Sequence, residues 1–393
     1  MVDREVTLKS LIAVLEGKKP ERVVWQPRLK HWYDVNNVRN TVPERYQGKY
    51  LDEIYEDLKA TPRQVWQGGI FGGGEFAGYP GIVAKEGEDV DVWVKQTKGL
   101  YYITAPGDYI ITKYVTPVGE MSSVLKRTEY GTSRYPVEFF LKDRESIKVY
   151  KYVLERRTYQ FDWQRYRWGE KRFGDLIYPR GSLSKEPLMR LTIELMGVER
   201  AVKWLWRYPK EMEDLMELMT QDIEKQIECY AKTPVVELCF GSNMHQDLCS
   251  PRLFKKYLIP FYERVIPKIH KARKYATAHW DGYVEKLLPL VKETGLDGLE
   301  CVTPKPQGDV TLEEMKRHII DEGMFLRDGI PAVLFLPWTP IEKLKEFTFK
   351  VLDTLGSTGR LILGISDMLP ANADIERVRL VGKLVEEWNE KNF

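Results

Sequence analysis

From residue 231 onward, the sequence alternates short apolar segments with longer charged segments of helical periodicity. The apolar segments at 235–240, 275–278 and 361–364 have the length of buried strands. Repeated β-α units require a parallel sheet, because each helix carries the chain back to the start of the next strand with the same handedness. The sequence therefore predicts an α/β fold built on a parallel sheet.

We predict that this sheet closes into a (β/α)8 barrel of the TIM type. In this part of the chain no GxGxxG turn opens a helix, and the predicted strands end in polar residues rather than in phosphate-binding loops. The glycine-rich stretch 69–78 lacks the strand-turn-helix frame that a phosphate site requires. The predicted architecture is a single barrel domain over 1–393, with an N-terminal extension whose residues 4–17 form a helix.

Residues 26–145 differ in composition from the barrel repeats. They are rich in Gly, Tyr and Trp, and the alternating runs at 90–95 and 109–115 predict hairpins. We therefore predict a β-rich cap inserted into the barrel.

Composition and charge exclude several classes of protein. The 60 Lys and Arg residues nearly balance the 58 Asp and Glu residues, which disfavours binding to nucleic acid. No apolar segment approaches the roughly 20 residues of a membrane helix. The four cysteines form no CxxC pair and the first residues lack the apolar core of a signal peptide, so we expect free thiols and a cytoplasmic protein.

Polar residues follow the predicted strands at nearly every step. In a barrel, the loops after the strands form the catalytic mouth, so these residues are candidates for chemistry without any further motif. The candidates at or after strand ends are Glu237, Asn243, His245, Asp247, His279, Asp281, Glu300, Arg327, Asp328, Ser366 and Asp367.

Two strand ends carry patterns that suit a metal ion. His279 and Asp281 form a His-x-Asp pair between a strand and the next helix, and such a pair can give two ligands to one metal. Asp367 follows a glycine-ended strand. The alternatives are that His279 binds a loop carbonyl, that Asp281 caps a helix and that Asp367 is a turn residue.

Other candidates also have two interpretations. Glu237 and Glu300 lie in apolar runs, where a carboxylate requires a cation, so each is either an active-site residue or part of a buried ion pair. Cys239 and Cys301 are interpreted as small core residues, because no general base lies beside them in sequence. The aromatic run Trp25, His31, Trp32 and Tyr33 either lines a pocket or belongs to the core.

Several segments, in order along the chain, resemble the uroporphyrinogen-decarboxylase-like superfamily. They are KPERVVWQPR, LDEIYEDLKATP, TPVGEMSS, EFFLKDRESIKVYKYVLE, LCSPRLFKKYLIPFYERVIPKIH, the turn at 279–282, GLDGLECVTPKPQGDVTLEEMK and GRLILGISDMLPANADIERV. The resemblance implies a barrel enzyme, and it makes a homodimer plausible.

Within that superfamily the decarboxylase branch is disfavoured. Its arginine-rich N-terminal loop is absent, since Arg28 is followed by Leu29 and Lys30. The resemblance favours the branch of corrinoid-linked methyltransferases, which bind zinc at a His-x-Cys pair and a later Cys. In this sequence the resemblance implies that the corresponding positions are His279, Asp281 and the segment Ser366-Asp367, so neither cysteine ligand of that family is present.

This replacement implies a harder site and an oxygen substrate, because carboxylate and imidazole suit an oxygen donor better than thiolates do. The chain thus resembles the O-demethylase methyltransferases, which take methyl from methoxylated aromatics. A Glu-Glu-His zinc pattern of that subgroup is matched in its first spacing by Glu285 and Glu300, but Asp321 stands where His is expected.

The resulting hypothesis assigns a role to each candidate. Zn²⁺, held by His279 and Asp281 with Glu300 or Asp367, would polarise an ether oxygen while Co(I) of a separate corrinoid protein takes the methyl group. Glu237, His245 and His279 are the predicted catalytic residues, with His245 donating the final proton. The predicted substrate-binding residues are Arg28, His31, Trp32, Tyr33, Asn243 and Asp328.

The corrinoid is expected on a partner because the sequence has no cobalamin-binding motif of its own. The alternatives are methyl transfer involving a thiol or tetrahydrofolate, and a barrel that only binds a tetrapyrrole or corrinoid.

Overall fold

The computed structural model describes residues 3–63, 81–96, 109–128 and 133–393. The strands in chain order are β1 (Val24–Trp25), β2 (Ile82–Lys85), β3 (Asp91–Gln96), β4 (Tyr109–Thr116), β5 (Gly119–Arg127), β6 (Arg134–Glu138), β7 (Thr158–Phe161), β8 (Arg180–Leu183), β9 (Glu237–Phe240), β10 (Tyr275–His279), β11 (Gly298–Glu300), β12 (Phe325–Pro331) and β13 (Leu361–Ser366).

The α-helices are α1 (Arg4–Leu15), α2 (Lys30–Arg39), α3 (Leu51–Asp57), α4 (Arg144–Arg156), α5 (Trp163–Phe173), α6 (Pro187–Arg190), α7 (Val198–Arg207), α8 (Pro209–Ala231), α9 (Pro251–Leu253), α10 (Ile259–Lys271), α11 (Leu312–Met315), α12 (Ile341–Leu355) and α13 (Ile375–Asn392). Three π-helical turns extend α6, α9 and α11: Leu191–Leu195, Phe254–Leu258 and Lys316–Ile320. Among the described helices, none is both long and apolar enough to cross a bilayer.

Seven strands form one parallel sheet in the order β1-β13-β12-β11-β10-β9-β8. From β8 to β13 each strand lies beside its predecessor in sequence, and β13 returns to pair with β1, with Val24 opposite Ile362. This order of seven parallel strands is consistent with a TIM-type barrel and confirms the predicted fold class, although β1 and β8, the two edges of the sheet, do not pair within the described residues. It also brings the carboxyl ends of β9 to β13 to one end of the sheet.

Among its described residues, the inserted region forms antiparallel sheet from residue 82 onward. Strands β3 to β6 form a four-stranded sheet, and β2 pairs with β7. The predicted runs at 90–95 and 109–115 are β3 and β4 and pair with each other. The earlier part of the region, 30–57, is helical instead, because Trp32 and Val35 give α2 a buried helical face. The glycine-rich stretch 69–78 lies outside the described residues.

One predicted helix is wrong. Residues 283–294 form turns followed by a 3-10 helix, Leu288–Thr294, and not an α-helix. Pro289 lacks the backbone donor that an α-helix needs at this position, and Gly295 ends the segment with a left-handed φ of 72°. Leu288 and Val291 are still buried, so the segment covers the barrel as a helix would.

Candidate functional site

The candidate site lies where β10, β11 and β13 end. His279 closes β10 and lies opposite Glu300, the last residue of β11, in the parallel register. The imidazole is buried, with 1% exposure, and its Nδ1 lies 2.9 Å from Glu300 Oε1. On the other side of the ring, Nε2 lies 3.5 Å from Asp281 Oδ2 and 3.7 Å from Asp367 Oδ1. The structure thus brings the three predicted carboxylate ligands around the fourth, His279.

The two sides of the imidazole have different functions. His279, Asp281 and Asp367 each offer one ligand atom within 4.8 Å of the others. Glu300 occupies Nδ1, and a carboxylate on that nitrogen holds the ring in place and leaves Nε2 available to an ion. Imidazole and carboxylate oxygens are ligands that Zn²⁺ accepts. The donors therefore fit the predicted ion, with Glu300 as an orienting group rather than a ligand of this set.

The carboxylates control the protonation of His279. Burial alone would lower its pKa, but the hydrogen bonds with Asp281 and Glu300 and the charge of Asp367 raise the pKa to about 9. The carboxylates around His279 therefore favour a positive charge at Nε2, either a proton on this nitrogen or a cation beside it.

Arg28 contributes a second cation to the site. Its Nη1 forms an ion pair with Asp367 Oδ1 and lies 3.5 Å from Cys301 Sγ. Burial tends to raise the pKa of Asp367, but the charges of Arg28 and His279 lower it on balance. Arg28 thus holds a candidate metal ligand, and its predicted role in substrate binding stays a prediction.

Cys301 and Asp328 lie beside this pair. The backbone N–H of Cys301 donates to Asp328 Oδ2 at 3.0 Å, and its thiol lies 3.1 Å from the same oxygen. Arg63 forms ion pairs with Asp328 and, at 2.9 Å, with Glu300. Asp328, predicted to bind substrate, is fully buried and neutralised by Arg63. Burial and the two aspartates raise the pKa of the Cys301 thiol well above its usual value.

Three residues of the site have left-handed backbone without being glycine. The φ values are 49° for Asn243, 66° for Cys301 and 95° for Asp328. Such conformations cost roughly 1–3 kcal/mol each and cluster at functional sites. The strain is located in the loop after β9, directly after β11 and within β12, beside the candidate ligands.

Glu237 lies at the start of β9, toward the opposite end of the strands. Its carboxylate accepts from Arg180 Nε at 2.6 Å, Arg327 Nη2 at 2.9 Å, Tyr178 OH at 2.6 Å and Thr277 Oγ1 at 2.6 Å. Burial would raise its pKa, but the two arginines hold the pKa well below its usual value. The catalytic role predicted for Glu237 stays a prediction, and these contacts favour the alternative, a buried ion pair.

Asn243 supports Asp281 from the next loop. Its Nδ2 donates to Asp281 Oδ2 at 2.8 Å, and its Oδ1 accepts from Lys185 Nζ at 2.5 Å. His245 lies at the rim, where its ring stacks on Tyr283 with centroids 5.4 Å apart. The half-exposed His245 is placed to exchange protons with solvent, and its role as a proton donor stays a prediction.

The residues predicted to line an aromatic pocket have different surroundings, and a pocket role for His31 and Tyr33 stays a prediction. Trp32 is a core residue, 3% exposed, and its Nε1 donates to Ala373 O at 3.1 Å. Tyr33 packs against the same core and donates its hydroxyl to Lys49 O. His31 is partly buried at the start of the helix. The core interpretation is therefore the correct one for Trp32.

The residues of the Glu-Glu-His pattern do not lie together in the structure. Glu285 is exposed, and its backbone N–H donates to Asp309. Asp321 forms a surface ion pair with Lys316 at 2.6 Å. Of that pattern, only Glu300 belongs to the site.

Sequence reasoning missed three basic residues of the site: Arg63, Arg180 and Lys185. Arg63 follows a loop with no strand-end signal, and the strand that contains Arg180 was not predicted. Cys301 had a usable signal, since it follows Glu300 at a strand end, but its surroundings of two carboxylates were not visible in sequence.

Comparison with known proteins gives one family and one fold. The family model described as "Uroporphyrinogen decarboxylase (URO-D)" matches residues 189–388. A solved methyltransferase from Methanosarcina mazei aligns over 97% of this chain and 98% of its own, with 14% identity and a TM-score of 0.57, a likeness of fold.

A structure from a study of the pneumococcal virulence factor StrH and N-glycan recognition covers 63% of this chain and 64% of its own, with 11% identity. Its TM-score of 0.32 is too low to bear on the fold. No curated protein matches the sequence.

Proposed function

The chain belongs to the uroporphyrinogen decarboxylase family, and from that premise we propose that it is a methyltransferase acting on methoxylated aromatic compounds. The acceptor in this proposal is Co(I) of a separate corrinoid protein. The observation that carries the proposal is the donor set at the ends of β10 and β13: one imidazole nitrogen and two carboxylates, His279, Asp281 and Asp367. Such a hard donor set suits activation of an oxygen atom.

A Zn²⁺ ion held by these residues would act as a Lewis acid toward the ether oxygen of the substrate. In the transfer the O–CH₃ bond breaks with both electrons moving to oxygen, and the Co–C bond forms from the electron pair of Co(I). The products are a phenolate and a methyl-Co(III) corrinoid.

The residues around the donor set support it without reacting. Glu300 fixes the orientation of His279 through Nδ1, and Asn243 fixes the carboxylate of Asp281. Arg28 holds Asp367. Because each donor is held by a second contact, the geometry is set before substrate binds, which reduces the reorganisation that the reaction requires.

The proton that completes the reaction is assigned to His245. This histidine is partly exposed in the loop after β9, and its ring stacks on Tyr283. A general acid at this position would protonate the departing phenolate and regain its proton from water.

The same contacts weigh against a decarboxylase-like role. A tetrapyrrole presents several carboxylates, which need arginines that are not already neutralised. In this site each arginine already has a carboxylate partner: Arg28 pairs with the partly exposed Asp367, and Arg63 and Arg180 pair with the buried Asp328 and Glu237.

A cytoplasmic location and a homodimer belong to the same proposal. All four cysteines are free thiols, which suits a reducing compartment.

The test is methyl transfer to a reduced corrinoid protein, followed by visible absorption. The donors are methoxybenzenes, with methanol and methylamines as controls, and each is assayed with Zn²⁺-loaded and chelated protein. We expect methyl-Co(III) from the aromatic ethers alone, lost on chelation and in Asp281→Asn but retained in Glu293→Gln, a change at an exposed residue.

Transfer that survives chelation would contradict the role of the ion. With a corrinoid protein proven competent, absence of transfer from every donor would reject the demethylase function. Formation of methyl-thiol or methyl-tetrahydrofolate from methyl-Co(III) would then identify the acceptor.

A further inference from the structure

The loop after β9 is held by the residues that follow β8. The two strands pair in parallel, so the segments after them leave the sheet side by side. Lys185 Nζ donates to the carbonyl oxygen of Gly241 and, at 2.5 Å, to Asn243 Oδ1. Between these two residues, the Ser242 hydroxyl donates to Glu186 Oε1 at 2.6 Å. Each of the three loop residues therefore has a contact with the end of β8.

Asn243 connects this end of β8 with a candidate metal ligand. Its backbone has a φ of 49°, a left-handed conformation that a residue other than glycine keeps only when its surroundings hold it. Its amide lies between two charged groups, because Nδ2 donates to Asp281 Oδ2 at 2.8 Å while Oδ1 accepts from Lys185. Asp281 Oδ2 is the atom that lies 3.5 Å from His279 Nε2. A line of three contacts thus runs from Lys185 to the donor set.

The chemistry of the two neighbours decides which way the Asn243 amide faces. An ammonium group can only donate hydrogen bonds, and a carboxylate can only accept them. The amide oxygen must therefore face Lys185, and the NH₂ group must face Asp281. Without the ammonium group, the amide could turn and bring its oxygen toward the carboxylate, where the two would repel each other. Lys185 selects the orientation in which Asn243 holds Asp281.

The charge of Lys185 acts on a metal ion in the opposite sense. In the described part of the chain, its carboxylate contact is with the partly exposed Glu194, at 3.7 Å. A positive charge near the donor set repels a bound cation. By charge alone, removal of the ammonium group would tighten metal binding, whereas through Asn243 its removal would weaken metal binding. The two effects differ in sign, so a measured affinity can separate them.

We propose that Lys185 is a positioning residue of the metal site and acts on Asp281 through Asn243. The inference deepens the proposed function and rests on its metal ion. In this role Lys185 touches neither the ion nor the substrate. Contacts that orient a metal ligand typically change the affinity by roughly 10–100-fold. Lys185 is one contact further from the ion than Asn243, so loss of its ammonium group should weaken Zn²⁺ binding by about tenfold, the lower end of that range.

The test is a double-mutant cycle on the Zn²⁺ affinity of the full chain. Chelated protein is titrated with Zn²⁺ by calorimetry as the unmodified protein, Lys185→Met, Asn243→Gly and the double variant. Methionine keeps the apolar part of the lysine side chain, and glycine adopts the left-handed backbone at position 243 without strain. We expect Lys185→Met to weaken Zn²⁺ binding about tenfold alone and to cause no further loss in the Asn243→Gly background. The matched control is Lys292→Met, at an exposed lysine, which should keep the unmodified affinity.

The other outcomes overturn defined parts of the argument. Unchanged or tighter Zn²⁺ binding by Lys185→Met would reject the inference and leave the proposed function intact. A loss that persists in the Asn243→Gly background would show that Lys185 acts by another route, and it would also reject the inference. An unmodified protein that binds no Zn²⁺ would reject both the inference and the metal ion of the proposed function.

If Lys185→Met does not fold, a crystal structure of the unmodified protein with Zn²⁺ bound decides. Asn243 that still joins Lys185 to Asp281 beside the ion supports the inference. An Asn243 side chain that has lost either contact in the Zn²⁺-bound protein rejects it.

Discussion

The substitution Glu300→Gln should destabilise the protein more than almost any other single change of similar size. Glu300 is fully buried, and its carboxylate accepts from His279 at 2.9 Å and from Arg63 at 2.9 Å. It also faces Arg180 and Arg327. Glutamine has one acceptor oxygen and an NH₂ group that would face these cationic donors. The change therefore leaves buried positive charge without its counter-ion.

The expected loss is about 3–5 kcal/mol, the usual cost of removing one partner of a buried ion pair. Unfolding entropy is about 2.1 cal/mol/K per residue, or roughly 0.8 kcal/mol/K for this chain, so the melting temperature should fall by about 4–6 °C. Glutamate and glutamine have nearly the same size, so the loss of stability would come from the lost negative charge and not from a change of side-chain volume.

The assay is urea unfolding followed by tryptophan fluorescence, with the melting temperature measured by circular dichroism. Glu293→Gln is the matched control, since Glu293 belongs to the same β-α unit and is exposed. That variant should stay within about 0.5 kcal/mol of the unmodified protein. A Glu300→Gln protein as stable as this control would refute the view that Glu300 balances the buried arginines.

Three further predictions concern the site, the pH dependence and the packing. Asp281→Asn should weaken Zn²⁺ binding at least tenfold by calorimetry, because it removes a charged ligand, while Asp353→Asn, far from the site, should leave the affinity unchanged. The hydrogen bond to Asp297 raises the pKa of His270, so this pair stabilises the fold below pH 6.5 and its contribution is lost as pH rises through the raised pKa. Because the pair is half exposed, His270→Gln should lower the free energy of unfolding by less than about 1 kcal/mol at pH 5.5 and by close to nothing at pH 9. The measurement is urea unfolding at both pH values. A loss of stability that does not change with pH would contradict the predicted pH dependence. Gly364→Ala should destabilise the protein by about 1–3 kcal/mol, since the new Cβ would lie 2.2 Å from Asp328 Oδ1 and 3.0 Å from Gln26 O. The control is Gly241→Ala, whose Cβ meets only the flexible end of Lys185 at 3.8 Å. That variant should be as stable as the unmodified protein in the same assay.

Periodicity predicted the barrel because strand and helix repeats are local signals. The segments at 235–240, 275–278 and 361–364 became β9, β10 and β13 with small shifts of their ends. The sequence did not reveal β8, a four-residue strand whose Arg180 and Ser182 break the apolar run. The helix at 283–294 failed for a local reason, since Pro289 outweighed the apolar spacing.

For the site, the strand-end rule identified His279, Asp281, Glu300 and Asp367 because parallel strands bring their carboxyl ends together. The rule could not show that Glu300 contacts Nδ1 of His279 while Asp281 and Asp367 lie near Nε2. The side of the imidazole that a carboxylate faces depends on how the neighbouring strands are aligned. The rule also gave no access to Arg63 or to the surroundings of Cys301. Arg63 and Cys301 are 238 positions apart and Cys301 and Asp367 are 66 apart, and no sequence period reports such contacts.

The buried ion pairs beneath the mouth have a consequence for engineering this enzyme. Arg180, Glu237, Glu300 and Arg327 share their hydrogen bonds, so the effect of changing one depends on the identity of the other three. A library that varies these four positions singly would yield mostly unstable proteins, whereas simultaneous exchange for apolar residues of matched volume could preserve the barrel. Rim residues such as Tyr283 share none of these hydrogen bonds, so substitutions there leave the buried network intact.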